Sequence, residues 1–446
     1  MVRGGVSRRD FLRRSAVAAA ALGLGSASSL ELEEERPVRP KAVSPSDKIV
    51  VGFIGCGGMG RANIRYFKEQ PDVEIAAVCD VYQPHLEQAL ALAGGRAKAY
   101  HDFRQVLDRK EIDAVVVSTP DHWHALPTIL ACQAGKDVYV EKPLALTIVE
   151  GRRMVEYARR YKRVVQVGTM QRSGKHFQQA VRLVQEGALG KITLVRCWTA
   201  GNSYPQGIGN PPDSDPPPGL DWDFWLGPAP YRPYNKNRCI YNFRWFWDYS
   251  GGKLTDWGTH LLDIVLWAMG VRAPTAVSAS GGKFALQDNR ETPDTLYVVY
   301  EFPGFVCTYS DQEVNARGID QQGYGIQFYG TEGTLYVSRS GYWLYPEMRE
   351  GEEDQRVGRM LAVQRGGSPM NEPHVRNFLD CIRSRERPIC DVEVGHYTTT
   401  AAHLGNIALW TAQRIVWDAE REQIVNVPEA NRYLRREYRK PWSLPS

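Results

Sequence analysis

The chain has 446 residues, 43% of them hydrophobic and 24% charged, which is the composition of a globular protein with room for two or three domains. Its formal net charge is +4, and residues 1–27 account for that excess with five arginines and one aspartate. The rest is neutral overall, so the charge gives no reason to expect nucleic acid as a partner. The eight cysteines are scattered, without a C-x-x-C pair or a Cys/His cluster, and we predict no metal site.

The N-terminal 27 residues have the order of an export signal. The twin arginine Arg8-Arg9 precedes an apolar stretch over residues 16–24, which small residues follow. This arrangement resembles twin-arginine (Tat) signals, whose pathway carries folded proteins out of the cytoplasm. The apolar stretch is too short for a permanent membrane anchor. We therefore predict a periplasmic or otherwise extracytoplasmic protein, with a signal over residues 1–27 and a linker over residues 28–47.

A glycine-rich turn follows the first predicted strand. The strand ends at Gly55, and Gly57 and Gly60 complete a G-x-G-x-x-G spacing in front of a predicted helix. Such glycines permit a tight turn, let a pyrophosphate approach bare backbone and let the helix pack closely on the strand. The N-terminus of the helix offers free N–H groups and a positive dipole end to phosphates. The turn therefore predicts a dinucleotide site.

An acidic residue stands where a dinucleotide-binding fold needs one. The second predicted strand, Val73–Cys79, is apolar and ends in Asp80, twenty residues beyond Gly60. A carboxylate at this position binds the ribose hydroxyls of NAD and repels the additional phosphate of NADP. The order of strand, loop, helix, strand and acid predicts NAD as the cofactor and disfavours NADP.

Further strands and helices alternate as far as residue 170. We predict strands at residues 114–118, 137–140 and 164–168, separated by helices at residues 86–92, 103–107, 126–134 and 148–160. Strands separated by helices of this length form a parallel sheet with right-handed crossovers. We therefore predict an α/β Rossmann domain over residues 48–170. Because ligands bind at the C-terminal ends of such strands, the loops 119–124, 141–143 and 169–172 are candidate parts of the site.

The pattern after residue 170 predicts a second domain of a different type. Predicted strands cover residues 191–199, 276–280, 296–302, 305–312, 324–329 and 333–337. Predicted helices cover residues 177–185, 372–383 and 396–417. Consecutive strands at hairpin spacing form a largely antiparallel sheet. We predict an α+β domain over residues 171–446, with an open, largely antiparallel sheet and helices.

A long segment without periodicity interrupts this domain. Residues 201–234 contain nine prolines, and seven of the twelve tryptophans lie between Trp198 and Trp267. Disordered segments are poor in aromatic residues, so we interpret the region as an ordered loop over a site or a neighbouring subunit. Its aromatic rings either stack on the faces of sugars or serve as anchors and subunit contacts, and the sequence leaves both alternatives open.

A helix with an acid and a histidine follows this loop. Gly251-Gly252 precede Thr255, the predicted N-cap of a helix that runs to Met269. Asp256 and His260 are four residues apart and therefore share a face of that helix. An isolated pair of this kind is more often a helix-start carboxylate with a satisfied core histidine, so the spacing alone leaves its role open.

Three of these segments together resemble the Gfo/Idh/MocA oxidoreductase family. They are the glycine turn, Glu141-Lys142-Pro143 and the stretch from Gly251 to His260. The resemblance covers most of the chain after Lys48, and it implies that Lys142 lies beside the nicotinamide and the reacting hydroxyl while Pro143 shapes the loop. It also implies a homo-oligomer that assembles through one face of the C-terminal sheet.

The predicted cofactor contacts lie mostly at the ends of the parallel strands, and the resemblance adds Pro120 and His124. The full set is Gly55, Gly57, Gly58, Met59, Gly60, Asp80, Ser118, Thr119, Pro120, His124, Glu141 and Lys142. His122 is expected to be a solvated loop histidine. The predicted substrate contacts are Gln171, Arg172 and Trp245.

These residues predict hydride transfer at a hydroxyl of a sugar or polyol, with NAD carrying the redox chemistry. His260 is the predicted general base, Asp256 its orienting carboxylate and Lys142 the cation that stabilises the developing alkoxide. Free dinucleotide is not expected outside the cytoplasm, so an exported enzyme needs a cofactor that is loaded first and recycled in place. A redox-neutral, NAD-dependent glycoside hydrolase meets that requirement and remains an alternative. A non-catalytic sugar-binding protein is a further one.

Overall fold

The computed structural model describes residues 47–349, 357–358 and 362–446. The predicted export signal lies outside the described residues, and so does the predicted linker up to residue 46. Within the described part of the chain, no helix combines the length and the apolar character needed to cross a membrane.

The first part of the described chain folds around a parallel six-stranded sheet. Its strands are β1 (Ile49–Ile54), β2 (Val73–Cys79), β3 (Lys98–Tyr100), β4 (Ala114–Val117), β5 (Asp137–Val140) and β6 (Val165–Val167). The helices between them are α1 (Gly58–Lys68), α2 (Gln83–Ala93), α3 (Phe103–Leu107), α4 (Ala125–Gln133) and α5 (Ile148–Arg160). The strand order is β3-β2-β1-β4-β5-β6, which confirms the predicted Rossmann fold and adds the short strand β3.

The central strands are apolar because both faces of this sheet are covered. Val115 and Val117 of β4 pack in one core, whereas Ala114 and Val116 pack in the core on the opposite face. None of the four has any solvent exposure, and burying a valine side chain contributes about 1.5–3 kcal/mol. The strand order reverses between β1 and β4, which is where open sheets of this type bind ligands.

In the described residues the second sheet has ten strands, in the order β16-β13-β12-β11-β7-β10-β9-β8-β17-β18. The strands of this part are β7 (Ile192–Ala200), β8 (Ala276–Gly282), β9 (Thr295–Phe302), β10 (Phe305–Gln312), β11 (Tyr324–Gly330), β12 (Gly333–Ser338), β13 (Gly341–Pro346), β14 (Met348–Arg349), β15 (Val357–Gly358), β16 (Val363–Gly366), β17 (Ile415–Asp418) and β18 (Gln423–Ile424). Among the strand pairs that the structure describes in this sheet, only β7 and β10 run parallel. The predicted open, largely antiparallel sheet is confirmed, and β14 pairs separately with β15.

Helices cover one face of the second sheet. The helices of this part are α6 (Lys175–Gln185), α7 (Trp222–Leu226), α8 (Thr259–Met269), α9 (Asn371–Ser384) and α10 (Val392–Thr411). Side chains of α6, α8 and α10 share a core with the inward residues of the strands. On the other face Tyr297, Val306 and Tyr345 are 46%, 37% and 50% exposed.

Helix α9 returns to the first sheet. Its Phe378 meets Phe67 and Tyr139 edge-to-face, with ring centroids 6.2 and 5.8 Å apart. Its Arg376 pairs with Asp72 at 2.7 Å. A segment from the C-terminal half of the chain therefore completes the core of the Rossmann domain.

Two local predictions in the C-terminal half were wrong. The predicted helix over residues 396–417 ends at Thr411, because Ala412 adopts a left-handed conformation (φ 52°) and the residues after it pair with β8 as β17. Thr255 does not cap α8, because a π-helical turn over Leu254–Gly258 precedes that helix. Single π-helical turns inside helices are frequent at functional sites.

Candidate active site

A cavity of about 550 Å³ lies at the C-terminal edge of the parallel sheet. One wall consists of the glycine turn and the loops that follow β2, β4 and β5. The predicted cofactor residues on that wall are Gly55, Gly57, Gly58, Met59, Asp80, Ser118, Thr119, Pro120, His124, Glu141 and Lys142. Gly60 is buried beneath the turn and does not line the cavity. The other wall comes from the segment between β7 and α8.

The glycine turn has no room for side chains at its two ends, whereas its middle faces open space. Gly55 has a φ of +87°, and a Cβ there would lie 2.6 Å from the Thr119 nitrogen. A Cβ on Gly60 would lie 2.0 Å from the Gly55 carbonyl oxygen. At Gly57 and Gly58 a Cβ would meet nothing closer than 4.0 Å, and no side chain caps the N-terminus of α1. Free N–H groups beside open space fit a pyrophosphate.

The carboxylate of Asp80 is held by backbone N–H groups. The Cys56 N–H donates to Oδ2 at 2.6 Å, and the Tyr82 N–H donates to Oδ1 at 2.9 Å. Each carboxylate oxygen has a further lone pair for a ligand hydroxyl. Because Cys56 belongs to the glycine turn, the residue predicted to bind the ribose is fixed to the turn predicted to bind the phosphates.

Two buried side chains connect the loops after β4 and β5. The ring nitrogens of His124 lie 2.8 Å from the Thr119 carbonyl and 2.7 Å from the Pro143 carbonyl. Glu141 accepts a hydrogen bond from the Asn63 amide at 2.9 Å. Burial raises the pKa of the Glu141 carboxyl, and the bond from Asn63 opposes that effect. The contacts of these side chains with the protein keep the wall of the cavity in place.

Lys142, Asp256 and Arg244 form a charged cluster at one end of the cavity. Lys142 Nζ donates to Asp256 Oδ1 at 2.5 Å and to the Asp256 carbonyl at 2.9 Å, while Arg244 Nε lies 3.2 Å from Asp256 Oδ2. Burial raises the pKa of Asp256, but the charges of Lys142 and Arg244 bring it well below its usual value. Asp256 is therefore ionised and shared by two cations.

His260 is close to this cluster but is not hydrogen-bonded to Asp256. Its side chain is buried, it is not among the residues that line the cavity, and its Nδ1 has no hydrogen-bond partner among the described residues. Burial lowers the pKa of His260 well below 6.5, and the positive charge of Lys142 lowers it further. The Asp256 carboxylate is bonded to Lys142 and Arg244 instead, so the orienting role of Asp256 towards His260 stays a prediction.

The three predicted substrate residues have different environments. Arg172 is buried in an ion pair with Asp263 at 2.8 Å and stacks on a tryptophan, so its guanidinium is occupied by the protein. Gln171 accepts from the Tyr324 hydroxyl at 2.5 Å and donates to the His260 carbonyl at 3.1 Å. Trp245 is buried and does not line the cavity.

Residues that no motif indicated complete the site. Arg244 precedes Asp256 by twelve residues and belongs to no recognisable pattern, and the second wall comes from the proline- and tryptophan-rich region. Only the density of aromatic residues indicated that this region is ordered. His122, expected to be solvated, is buried, with its Nε2 3.0 Å from the Trp225 carbonyl of that wall.

The fold and the cavity define a two-domain, dinucleotide-binding protein of the oxidoreductase type. The chain belongs to the Gfo/Idh/MocA family. Residues 49–169 match the model for an oxidoreductase family with an NAD-binding Rossmann fold. Residues 173–288 and 361–444 match the model for the C-terminal alpha/beta domain of that oxidoreductase family. The N-terminal domain is accordingly an NAD-binding domain, and the chemistry of the glycine turn and Asp80 agrees with it.

Two solved dehydrogenases share the fold. Levoglucosan dehydrogenase, in complex with NADH and levoglucosan, has a TM-score of 0.64 at 19% identity and covers 83% of this chain and 99% of its own. The WlbA dehydrogenase from Bordetella pertussis, in complex with NADH and UDP-GlcNAcA, has a TM-score of 0.63 at 20% identity with the same coverage.

Curated relatives carry a different name. A glycosyl hydrolase family 109 protein from Shewanella pealeana is 31% identical over 206 residues, which is 42% of this chain and 44% of the relative. Glycosyl hydrolase family 109 protein 1 from Shewanella sp. (strain ANA-3) is 30% identical over 208 residues, with the same coverage. The chain thus covers less than half the length of these relatives.

Proposed function

We propose that the protein is an exported, NAD-dependent oxidoreductase that acts on a hydroxyl of a sugar or polyol and keeps its cofactor between turnovers. One observation carries this proposal: a single cavity joins the glycine turn and Asp80 to Lys142 and Asp256. Its two ends suit a dinucleotide and a hydroxyl substrate. The sugar-bound dehydrogenases of the same fold support the substrate class.

The chain's own residues would position the substrate and handle its proton, whereas bound NAD would supply the hydride acceptor. Lys142 is the proposed donor to the reacting hydroxyl, because its charge would stabilise the oxygen as the proton leaves. His260 is the proposed base. Its depressed pKa keeps the ring neutral near pH 7, and its side chain lies beside the charged cluster at the end of the cavity. Asp256 would hold Lys142 in position and balance the charge of Arg244.

Export and oligomerisation are further parts of the proposal. The twin arginine at residues 8–9 supports export, and substitution of both arginines by lysine should leave the protein in the cytoplasm of a Tat-competent host. Equal periplasmic yield for the two versions would contradict the Tat assignment. The exposed side chains on the outer face of the second sheet support a homo-oligomer. Tyr345→Arg should then reduce the molar mass measured by light scattering.

A second candidate function is a redox-neutral glycoside hydrolase. The family 109 relatives favour it, and the same cavity suits it. In that reaction a sugar carbon would be oxidised transiently, with bound NAD as the hydride acceptor, and the acidified neighbouring C–H would lose its proton as the aglycone leaves. Water would then add at the carbon that lost the aglycone, and the oxidised carbon would take the hydride back. The base and the cation would have the same roles in both reactions, so these residues alone do not separate the two.

Two measurements on purified protein test these alternatives. Denaturation should release NAD(H) from the folded protein, and a folded but nucleotide-free preparation would contradict cofactor retention. A panel of sugars and aryl glycosides then distinguishes the reactions: persistent reduction of the bound NAD indicates a dehydrogenase, and aglycone release without net reduction indicates the hydrolase. His260→Ala should abolish either reaction, whereas His176→Ala, which changes a buried histidine bonded to Ser368 outside the cavity, is the matched control. No reaction with any member of the panel would favour a sugar-binding protein.

A further inference from the structure

The second wall of the cavity is a continuous piece of chain, residues 219–244, which we name the roof. Its residues that line the cavity include Leu220, Phe224, Trp225, Ile240 and Arg244. At one end Leu220 forms a β-bridge with Tyr82, two residues beyond Asp80. At the other end Arg244 pairs with Asp256. The roof therefore spans the cavity from the predicted ribose position to the charged cluster.

The roof is fastened to the Rossmann domain through its backbone. The Gln83 N–H donates to the Gly219 carbonyl at 2.8 Å, and the Asp221 N–H donates to the Val81 carbonyl at 3.0 Å. These bonds join the roof to the loop after β2, which carries Asp80. A bound dinucleotide would thus lie between two surfaces that are already bonded to each other.

A later segment, residues 435–446, holds the roof from outside, and we name it the strap. Trp442 of the strap stacks on Phe224 of the roof, with ring centroids 5.5 Å apart, and meets Trp123 of the Rossmann domain edge-to-face at 4.8 Å. The Trp123 indole N–H also donates to the Trp225 carbonyl at 2.9 Å. Trp442 consequently joins the strap, the roof and the first domain at one point.

A second strap residue binds the helix of the roof. Arg439 donates to Asp223 Oδ1 at 2.6 Å, to the Asp223 carbonyl at 2.7 Å and to the Gly227 carbonyl at 3.0 Å. Its own N–H donates to the Pro228 carbonyl at 3.0 Å. One side chain thereby satisfies carbonyls at the end of α7, so that lifting the roof would leave several polar groups without partners.

Ile240 gives independent support for a closed roof. This β-branched residue has a φ of +63° and is 47% exposed, yet it lines the cavity. A β-branched residue in the left-handed region is strained and persists only where its surroundings impose it, as happens at ligand clamps. The surroundings that impose this conformation thus keep an apolar side chain over the cavity although it is only partly buried.

We propose that the strap locks the roof over the dinucleotide and thereby sets the rate at which NAD leaves the protein. This inference rests on the proposed function, because cofactor retention is what an exported oxidoreductase requires. Release needs a local opening in which the roof separates from the loop after β2. Each contact that exists only in the closed form lowers the population of the open form and slows release.

The test measures the dissociation of NADH from the full-length holoprotein by fluorescence, after dilution into excess NAD. Trp442→Ala should raise the dissociation rate about tenfold, and Trp442→Phe, which keeps a stacking ring, should restore most of the retention. Trp343→Ala, which removes a tryptophan from β13 away from the cavity, should leave the rate unchanged. Ile240→Gly removes the apolar side chain over the cavity, which should speed release of NADH. Because glycine adopts a positive φ without strain, the substitution should not lower the melting temperature of the NAD-free protein.

Dissociation rates that are equal in the wild type, Trp442→Ala and Ile240→Gly would overturn the proposal, and so would a wild type that exchanges NADH within seconds. A general loss of stability is recognised because Trp343→Ala would then release NADH as fast as Trp442→Ala. No sugar is needed for the measurement. Fast release from an enzyme that oxidises sugars would therefore reject the strap and cofactor retention but leave the proposed reaction. Slow release from a protein inert to every sugar would reject the proposed reaction but leave the strap.

Discussion

Replacing Asp256 by asparagine tests the interpretation of the charged cluster. The wild-type carboxylate lies 2.5 Å from Lys142 Nζ and 3.2 Å from Arg244 Nε. At an effective dielectric constant of about 20, each contact is worth about 5–7 kcal/mol before desolvation. Removing one member of a buried ion cluster costs about 3 kcal/mol net, because two cations then remain without a counter-charge. We expect Asp256→Asn to lower the melting temperature by several degrees.

The same substitution should change the preference for the two redox forms of the cofactor. The nicotinamide ring is positive in NAD⁺ and neutral in NADH, so two uncompensated cations in the cavity would disfavour only the oxidised form. We expect the ratio of the dissociation constants of NAD⁺ and NADH to rise about tenfold, which corresponds to about 1.4 kcal/mol. Titration calorimetry with each form measures the ratio.

The control is Asp380→Asn, which removes a 63% exposed carboxylate paired with Arg376 at 2.9 Å. It should change neither the melting temperature nor the ratio, since exposed pairs contribute little. Asp256→Asn with wild-type stability and an unchanged ratio would refute the reasoning. A loss of stability with an unchanged ratio would support the ion cluster but would show that the cluster does not act on the nicotinamide.

Three further outcomes are expected. Burial, and then the charge of Glu313, raise the pKa of Asp311 to about 7, against about 3.9 for an unfolded aspartate. Ionisation of Asp311 should therefore lower the free energy of unfolding of the wild type as pH rises from about 4 to about 7, with no further loss above pH 7. Measured by urea unfolding, the stability of Asp311→Asn relative to the wild type should rise over that range. A difference between the two proteins that does not depend on pH would contradict this. His260→Gln should lower kcat about 10²–10⁴-fold with unchanged NAD content, and the wild-type kcat/KM should show no acid limb from this residue near pH 6.5, because burial lowers its pKa. Asp80→Ser should weaken NAD binding about tenfold and should reduce the preference for NAD over NADP, both measured by calorimetry. An unchanged ratio of the NAD and NADP affinities would show that Asp80 does not bind the ribose.

The Rossmann elements were predictable because local sequence determines them. The predicted bounds are correct for two strands and one helix, Val73–Cys79, Asp137–Val140 and Ile148–Arg160. A continuous apolar run indicates a strand that is buried on both faces, and an apolar stripe at helical spacing indicates a helix that is buried on one face. The helix that ends at Thr411 was not predictable to its end. Ile415 and Trp417 continue an apolar pattern, and only pairing with β8, more than a hundred residues earlier, makes them a strand.

The site was predictable where a motif constrains backbone and side chain together. Gly55, Asp80 and Lys142 follow strands, so topology alone brings them to one edge. Arg244 follows no strand, and its position depends on how the roof packs. The helical spacing of Asp256 and His260 indicated that the two side chains share a face of the helix. It did not indicate that the Asp256 carboxylate binds Arg244 and Lys142.

The roof and the strap make cofactor loading and cofactor retention parts of one problem. A closed structure that slows the departure of NAD slows its entry by the same barrier, unless entry occurs before closure. The strap, residues 435–446, is synthesised after both of the parts that it fastens, and domains fold largely as units during synthesis. NAD that binds to the Rossmann domain in the cytoplasm would thus be covered when the strap docks. A pathway that exports folded proteins would carry the closed protein with its bound NAD. On this argument the aromatic contacts of Trp442 matter more for the retention of NAD after the proposed export than for the chemistry performed with it.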